Sequence, residues 1–180
     1  MKKTLILGIA LVASLSIVAC KKKPAADTKP AEAAPNAKAG GILISKSGSH
    51  VSGEVTFTNT VKDGLSMTVK LKGATPGVHG IHVHDKGDCA ADDASTAGPH
   101  FNPMAEKHGG PATEHHHAGD LGNITVEADG HATYETIVKT LKFEDVIGKS
   151  IIVHEKADDL ATDPSGNSGA RQACAVITKQ

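Results

Sequence analysis

The sequence predicts an all-β domain, a sandwich or barrel of about eight short strands, and three observations carry that expectation. From position 41 onward apolar residues recur at every second position, as in Val51, Gly53, Val55, Phe57 and again in Met67, Val69, Leu71, the spacing of a half-buried strand. Turn formers such as Lys62-Asp63-Gly64 and Ala128-Asp129-Gly130 punctuate these runs. No long segment has helical periodicity, and Leu141 to Val146 offers one short turn.

Taken in order, the chain begins with Lys2 and Lys3 ahead of an uncharged apolar run from Leu5 to Val18. That run is short for a bilayer span and reads as an export signal over residues 1–19. It ends in Ile17-Val18-Ala19-Cys20, which resembles the lipobox of bacterial lipoproteins, so Cys20 is expected to become a lipidated N-terminus. More than one acyl chain is needed for stable anchoring, each buried methylene contributing about 0.8 kcal/mol. Residues 20–40 carry Lys, Ala and Pro with almost no large apolar side chain. Such a segment cannot bury enough surface to offset its ordering entropy and is expected to be an extended tether. The folded domain is expected over residues 41–180.

Within it, strand-like runs occupy Gly41 to Lys46, the two alternating stretches above, Gly80 to His84, Ile124 to Glu127, Ala132 to Val138, Ser150 to His154 and Ala173 to Thr178. Two stretches break the rhythm, residues 85 to 120 and 155 to 172, both rich in Gly, Pro, Asp and Asn. Long loops on a rigid β scaffold are functional or disordered. Five histidines in the first and an arginine in the second argue for function.

Bulk properties exclude some partners. A net charge of -1 and a pI near 6.8 leave no basic surplus to hold a phosphate backbone. With no Trp, one Tyr and three Phe, a base-stacking platform has little to be built from, so nucleic acid is not an expected partner. Assigning Cys20 to lipid leaves Cys89 and Cys174 as an even pair in an exported, oxidising setting, which predicts a disulfide. Its long loop gives roughly 4 to 5 kcal/mol in the chain-entropy model.

The histidines carry the chemistry. In Gly80-Ile81-His82-Val83-His84, alternation turns Ile81 and Val83 to the core and sends His82 and His84 together from the other face. His100 and His108 each sit among Gly and Pro residues that shape tight loops. In His115-His116-His117-Ala118-Gly119-Asp120, a carboxylate three residues after an imidazole can close on one ion, and three imidazoles with one carboxylate suit zinc. Spacing selects His117 with Asp120 and leaves His115 and His116 as solvent-exposed neighbours. His154 ends the run Ile151-Ile152-Val153, is expected at a sheet edge, and can complete the set begun by His82 and His84.

Five blocks in one order resemble the copper/zinc superoxide dismutase family in its bacterial exported form: Gly77 to His84, Gly98 to Pro103, Gly119 to Asn123, Val153 to Leu160 and Gly166 to Cys174. The resemblance implies an eight-stranded antiparallel Greek-key barrel or sandwich, immunoglobulin-like in layout, with two long functional loops. It implies copper held by His82, His84, His100 and His154, and zinc held by His100, His108, His117 and Asp120, with His100 shared between them. Asp158 matches a carboxylate that links a copper histidine to a zinc histidine, and His79 matches a buried scaffold histidine.

The implied activity is dismutation of superoxide to dioxygen and hydrogen peroxide, an antioxidant oxidoreductase protecting the cell envelope. His100 accepts and returns a proton, and Arg171 attracts and orients the anion. Localisation follows from the lipid: anchored to the envelope membrane through the N-terminus alone, facing the periplasm or exterior. Departures matter as well. The loop from Glu155 to Arg171 is shorter than in eukaryotic relatives and lacks their guiding cluster, so Lys156 or another lysine is expected to share the steering. Lys86 and Lys179 stand where those relatives carry apolar dimer contacts, so a monomer or a different dimer is expected, burial of unpaired ammonium groups being costly. The alternative in another class is a copper-buffering or metal-delivery lipoprotein on the same fold. His50, His115 and His116 are candidates for recruiting metal, weighed against ordinary exposed histidines.

Overall fold

Among the described residues, nine strands follow the order that the apolar alternation sets out: β1 (Lys38–Ser45), β2 (Ser52–Thr60), β3 (Gly64–Lys72), β4 (Gly77–His84), β5 (Asp120–Val126), β6 (Ala132–Val138), β7 (Ser150–His154), β8 (Arg171–Val176) and β9 (Thr178–Lys179). The computed structural model describes residues 33–60 and 64–180. The export signal, Cys20, most of the tether, and Lys62 and Asp63 of one expected turn lie outside the described residues.

All pairings are antiparallel, and the strands are ordered β5-β4-β7-β8-β1-β2-β3-β6, with the short β9 added beside β1. The sheet curls into a nearly closed Greek-key barrel, as the sequence leads one to expect. Alternate side chains fill it: Val55 and Phe57 of β2, Leu65, Met67, Val69 and Leu71 of β3, Ile81 and Val83 of β4, and Ile151 and Val153 of β7 are all buried. Burying a side chain of this size stabilises by roughly 1.5 to 3 kcal/mol, so this interior is the main support of the fold. A second, smaller cluster of Ala94, Ala97, Ile152 and Cys174 forms separately, with Cys89 packed against it.

Several boundaries differ from expectation, among them the starts of β4, at Gly77 rather than Gly80, and of β8, at Arg171 rather than Ala173. β1 starts at Lys38 rather than Gly41, because Lys38, Ala39 and Gly40 pair with Thr58, Phe57 and Thr56 of β2. The last strand breaks at Ile177, which bonds to the β6–β7 connection through Lys149 and Gly148; the chain then leaves β7 and joins β1 as β9. β5 begins at Asp120, four residues before Ile124. A bulge explains the early start. Gly80 pairs with Asn123 and His82 with Asp120, so two residues, Leu121 and Gly122, face one, and Gly122 adopts the left-handed φ of 81° that such an insertion favours. The bulge sets Asp120 opposite His82. The short turn expected near Leu141 is the helix α1 (Phe143–Val146).

Candidate metal centre

Two strands and two loops converge on the outer surface of the barrel at β4. The inward Ile81 and Val83 leave His82 and His84 on the outer face, where they are nonetheless fully buried, covered by the loops that follow β4 and β7. The loop after β4 is laid back onto that strand: Phe101 N donates to the Val83 carbonyl at 2.8 Å, Val83 N to Gly119 at 2.9 Å and Gly119 N to Phe101 at 2.9 Å. His100 pairs with His84 in a single β-bridge. His154 stands at the end of β7, but β7 is an interior strand between β4 and β8, not the sheet edge expected. A strand's end and a sheet's edge give the same sequence signal.

His82, His84, His100 and His154 bring one ring nitrogen each within 4.8 Å of all the others. The other ring nitrogen is engaged in every case. His82 Nε2 meets Asp158 Oδ2 at 2.8 Å, His84 Nδ1 the Gly98 carbonyl at 2.9 Å, His100 Nδ1 Asp120 Oδ1 at 2.7 Å and His154 Nδ1 the Gly169 carbonyl at 3.2 Å. Oxygen acceptors there place each proton on the outer nitrogen in the metal-free protein, so the inner lone pairs point at one another; on His100 a metal ion on the Asp120 side would replace the Nδ1 proton. His82 Nδ1 and the Nε2 atoms of His84, His100 and His154 are buried with no hydrogen-bond partner. Four buried lone pairs facing one another are costly unless a cation sits among them, so this donor set fits copper, which four imidazoles suit. Burial, reinforced by the neighbouring rings, pushes His82 and His84 well below the usual imidazole range, and burial is also the largest cause that lowers His100. His154 is pushed down to about 3, chiefly by burial. The rings are therefore neutral ligands near pH 7.

The second cluster joins His100, His108, His117 and Asp120, again within 4.8 Å. The three ring centroids form a triangle with every side 5.5 Å. The carboxylate closes the group: Oδ1 lies 2.7 Å from His100 Nδ1 and 3.2 Å from His117 Nδ1, and Oδ2 lies 3.1 Å from His108 Nδ1. Backbone N–H groups of Gly109 and His117 also donate to Oδ2. Burial alone would raise the Asp120 pKa, but the hydrogen bonds from His100 and Gly109 outweigh it and hold the group below the usual carboxylate value. An ionised carboxylate with three imidazoles is the donor set of a tetrahedral zinc site.

The clusters are tied together twice. His100 belongs to both, with Nε2 facing one and Nδ1 the other. Asp158, buried, accepts from His82 Nε2 through Oδ2 and from His108 Nε2 through Oδ1, each at 2.8 Å. Asn123 clamps the Asp158 backbone with its amide, donating to the carbonyl at 2.9 Å and accepting from the N–H at 2.8 Å. Arg171 is half-buried beside the first cluster, its guanidinium donating to Ala94 O at 2.7 Å and to Gly98 O at 2.8 Å. The Gly98 carbonyl is the one that also holds His84. Cys89 and Cys174 form the expected disulfide, which fastens this loop to β8.

Other expectations divide. His79 is buried and bonds His154 O and Thr75 O, both at 2.8 Å, as a scaffold residue would. His50 and His115 are exposed, the latter 3.4 Å from Glu106. His116 is not exposed as expected: it is buried, with Nδ1 2.8 Å from the His117 carbonyl, because the segment folds tightly over Gly109. Lys86, Lys156 and Lys179 are exposed. Asn123 and Gly98 were missed as positioning groups. Asn123 stands just before the run Ile124 to Glu127, and no local pattern marks either residue.

The sequence profile of the family described as copper/zinc superoxide dismutase (SODC) matches residues 51–177. A copper chaperone for superoxide dismutase from Rattus norvegicus is 40% identical over 144 residues, covering 77% of this chain and 52% of the relative. The chain thus spans about half the length of that curated relative. Among solved structures, the clock protein EA4 superposes with a TM-score of 0.72 at 32% identity, covering 81% of this chain and 96% of that one.

Proposed function

Because the chain belongs to the copper/zinc superoxide dismutase family, we propose that it is itself a dismutase, with copper held by His82, His84, His100 and His154 and zinc by His100, His108, His117 and Asp120. The observation that carries this reading is His100: one buried imidazole offers Nε2 to a four-histidine cluster and Nδ1 to a three-histidine, one-carboxylate cluster. Neither a single-metal store nor a structural sandwich needs that sharing.

Copper bound there supplies a one-electron couple that takes an electron from one superoxide anion and returns it to a second, so that two superoxides and two protons become dioxygen and hydrogen peroxide. The residues do the rest. With Nδ1 committed to the Asp120 side, Nε2 is the His100 atom able to take up a proton and pass it to the peroxide being formed. Zinc has no redox chemistry; its cluster keeps the ring oriented while that proton moves. Asp158 holds His82 and His108 so that neither ring turns away. Arg171, effectively always charged and fixed by two carbonyls, draws the anion in, a form of steering for which superoxide dismutases are a standing example.

The lipobox resemblance at Cys20 supports an envelope lipoprotein, tethered by lipid and acting on extracytoplasmic superoxide as a monomer or as a dimer unlike the eukaryotic one. A second reading, copper delivery, is favoured by the 40% identity to a copper chaperone. The two part on turnover. The purified chain, assayed for superoxide consumption before and after copper loading, gains catalysis in proportion to bound copper if it is a dismutase. Stoichiometric copper and zinc without catalysis would overturn that and favour delivery.

A further inference from the structure

His108 is the member of the zinc cluster with the least support of its own. It lies in a stretch without regular structure, residues 105–110, where no strand ladder engages its backbone. Its grips come from the other long loop. Asp158 Oδ1 accepts from the ring Nε2 at 2.8 Å, and Asp163 Oδ1 accepts from the backbone N–H at 2.6 Å, across 55 residues of sequence. Gly166 lies flat against the Asp158–His108 pair: a Cβ there would sit 2.6 Å from Asp158 Cγ and 2.7 Å from His108 Nε2. The next residue, Gly109, donates its N–H to Asp120 Oδ2 at 3.1 Å. Two consecutive backbone N–H groups are thus held by carboxylates from opposite sides, Asp163 on one and Asp120 on the other.

We propose that Asp163 is a positioning residue for zinc: by holding the His108 N–H it keeps Nδ1 aimed at Asp120, and so couples the loop after β7 to the zinc cluster. The inference rests on the zinc assignment above. Ring contact with Asp158 restrains only the far end of the side chain. Without the Asp163 contact, the main chain here is held only through the neighbouring Gly109 N–H, and the His108 end can pivot so that Nδ1 swings off the cluster. Asp163 itself is exposed, and its carboxylate bonds the His108 N–H, so substituting it removes that hold. What Asp163 contributes is an acceptor oxygen, which Asn keeps and Ala lacks.

The test uses the full chain, metal-stripped and titrated with zinc against a chelator of known affinity, and with cobalt(II) as a spectroscopic probe of the same cluster. Asp163→Ala is expected to weaken zinc by roughly 10- to 100-fold, the range for losing an outer partner of a metal ligand, and to alter the cobalt d–d bands. Asp163→Asn is expected to restore both to near wild type. Unchanged zinc affinity and cobalt bands in Asp163→Ala, beside tight binding by the wild type, would overturn the inference while leaving the zinc assignment intact. Equal loss in Asp163→Asn would also overturn it, because charge and not the hydrogen bond would then be at work. Failure of the wild type to bind zinc would overturn the assignment and this inference together.

Discussion

Arg171 shows how much a single side chain's fixation can matter. Its guanidinium is held by the Ala94 and Gly98 carbonyls and not by a carboxylate, so its charge is not neutralised by a partner ion at hydrogen-bond distance. Replacing it with Ile should leave both ligand clusters intact, since it belongs to neither. The expected outcome for Arg171→Ile is retained copper and zinc, turnover lower by about tenfold or more, and a flatter salt dependence, read by pulse radiolysis at low ionic strength. Wild-type turnover there would remove Arg171 from the mechanism. The buried histidines lead to a second prediction. Burial holds His82, His84, His100 and His154 below the ordinary value near 6.5, His154 at about 3. The unfolded chain therefore binds more protons than the folded one in acid, and stability rises with pH. The metal-free protein should keep its full melting temperature above pH 6.5 and lose it progressively as the pH falls toward 3; a flat profile over that window would contradict neutral burial of these rings.

The elements most clearly foretold are those whose side chains answer to a period of two. β6 begins and ends where alternation places it, β7 follows a short continuous apolar run that is buried throughout, and the HxH of β4 turns outward because Ile81 and Val83 turn in. Legibility fails where contacts between distant segments decide. Lys38 to Gly40 offer no large apolar side chain, and pairing with Thr56 to Thr58 on one side and with β9 on the other makes them strand. The burial of His116 could not be read from three consecutive histidines of equal chemistry. The Asn123 clamp on Asp158 spans 35 residues, and nothing local announces it. The residues that gather in the two clusters were legible as candidates because each sits in a short local pattern: alternate positions on a strand, Gly and Pro around a loop histidine, a carboxylate three residues from an imidazole. The disulfide joins two such elements, the loop after β4 and strand β8. With a sequence separation of 85, its loss should cost about 4 to 5 kcal/mol in the chain-entropy model. Denaturant unfolding of Cys89→Ser with Cys174→Ser should show a clearly lower midpoint, and an unchanged midpoint would mean that the barrel alone sets stability.

At the scale of the whole domain, the described residues form a barrel that carries two loops on one flank, and the two histidine clusters lie where those loops meet. Strands β4 and β7 supply three imidazoles, and the loop after β4 with the first residue of β5 supplies the rest. The loop after β7 closes over them through Asp158. His100 is the one residue common to both clusters. If both metals depend on it, removing it must damage two sites at once, whereas any other ligand serves one. The decisive measurement is therefore a titration of copper and zinc into metal-stripped His100→Ala, set beside His84→Ala and His117→Ala. Both metals should weaken in His100→Ala by more than the roughly 10- to 100-fold cost of losing an outer partner, with only copper weakened in His84→Ala and only zinc in His117→Ala. A His100→Ala protein that binds either metal as tightly as the wild type would contradict the shared site.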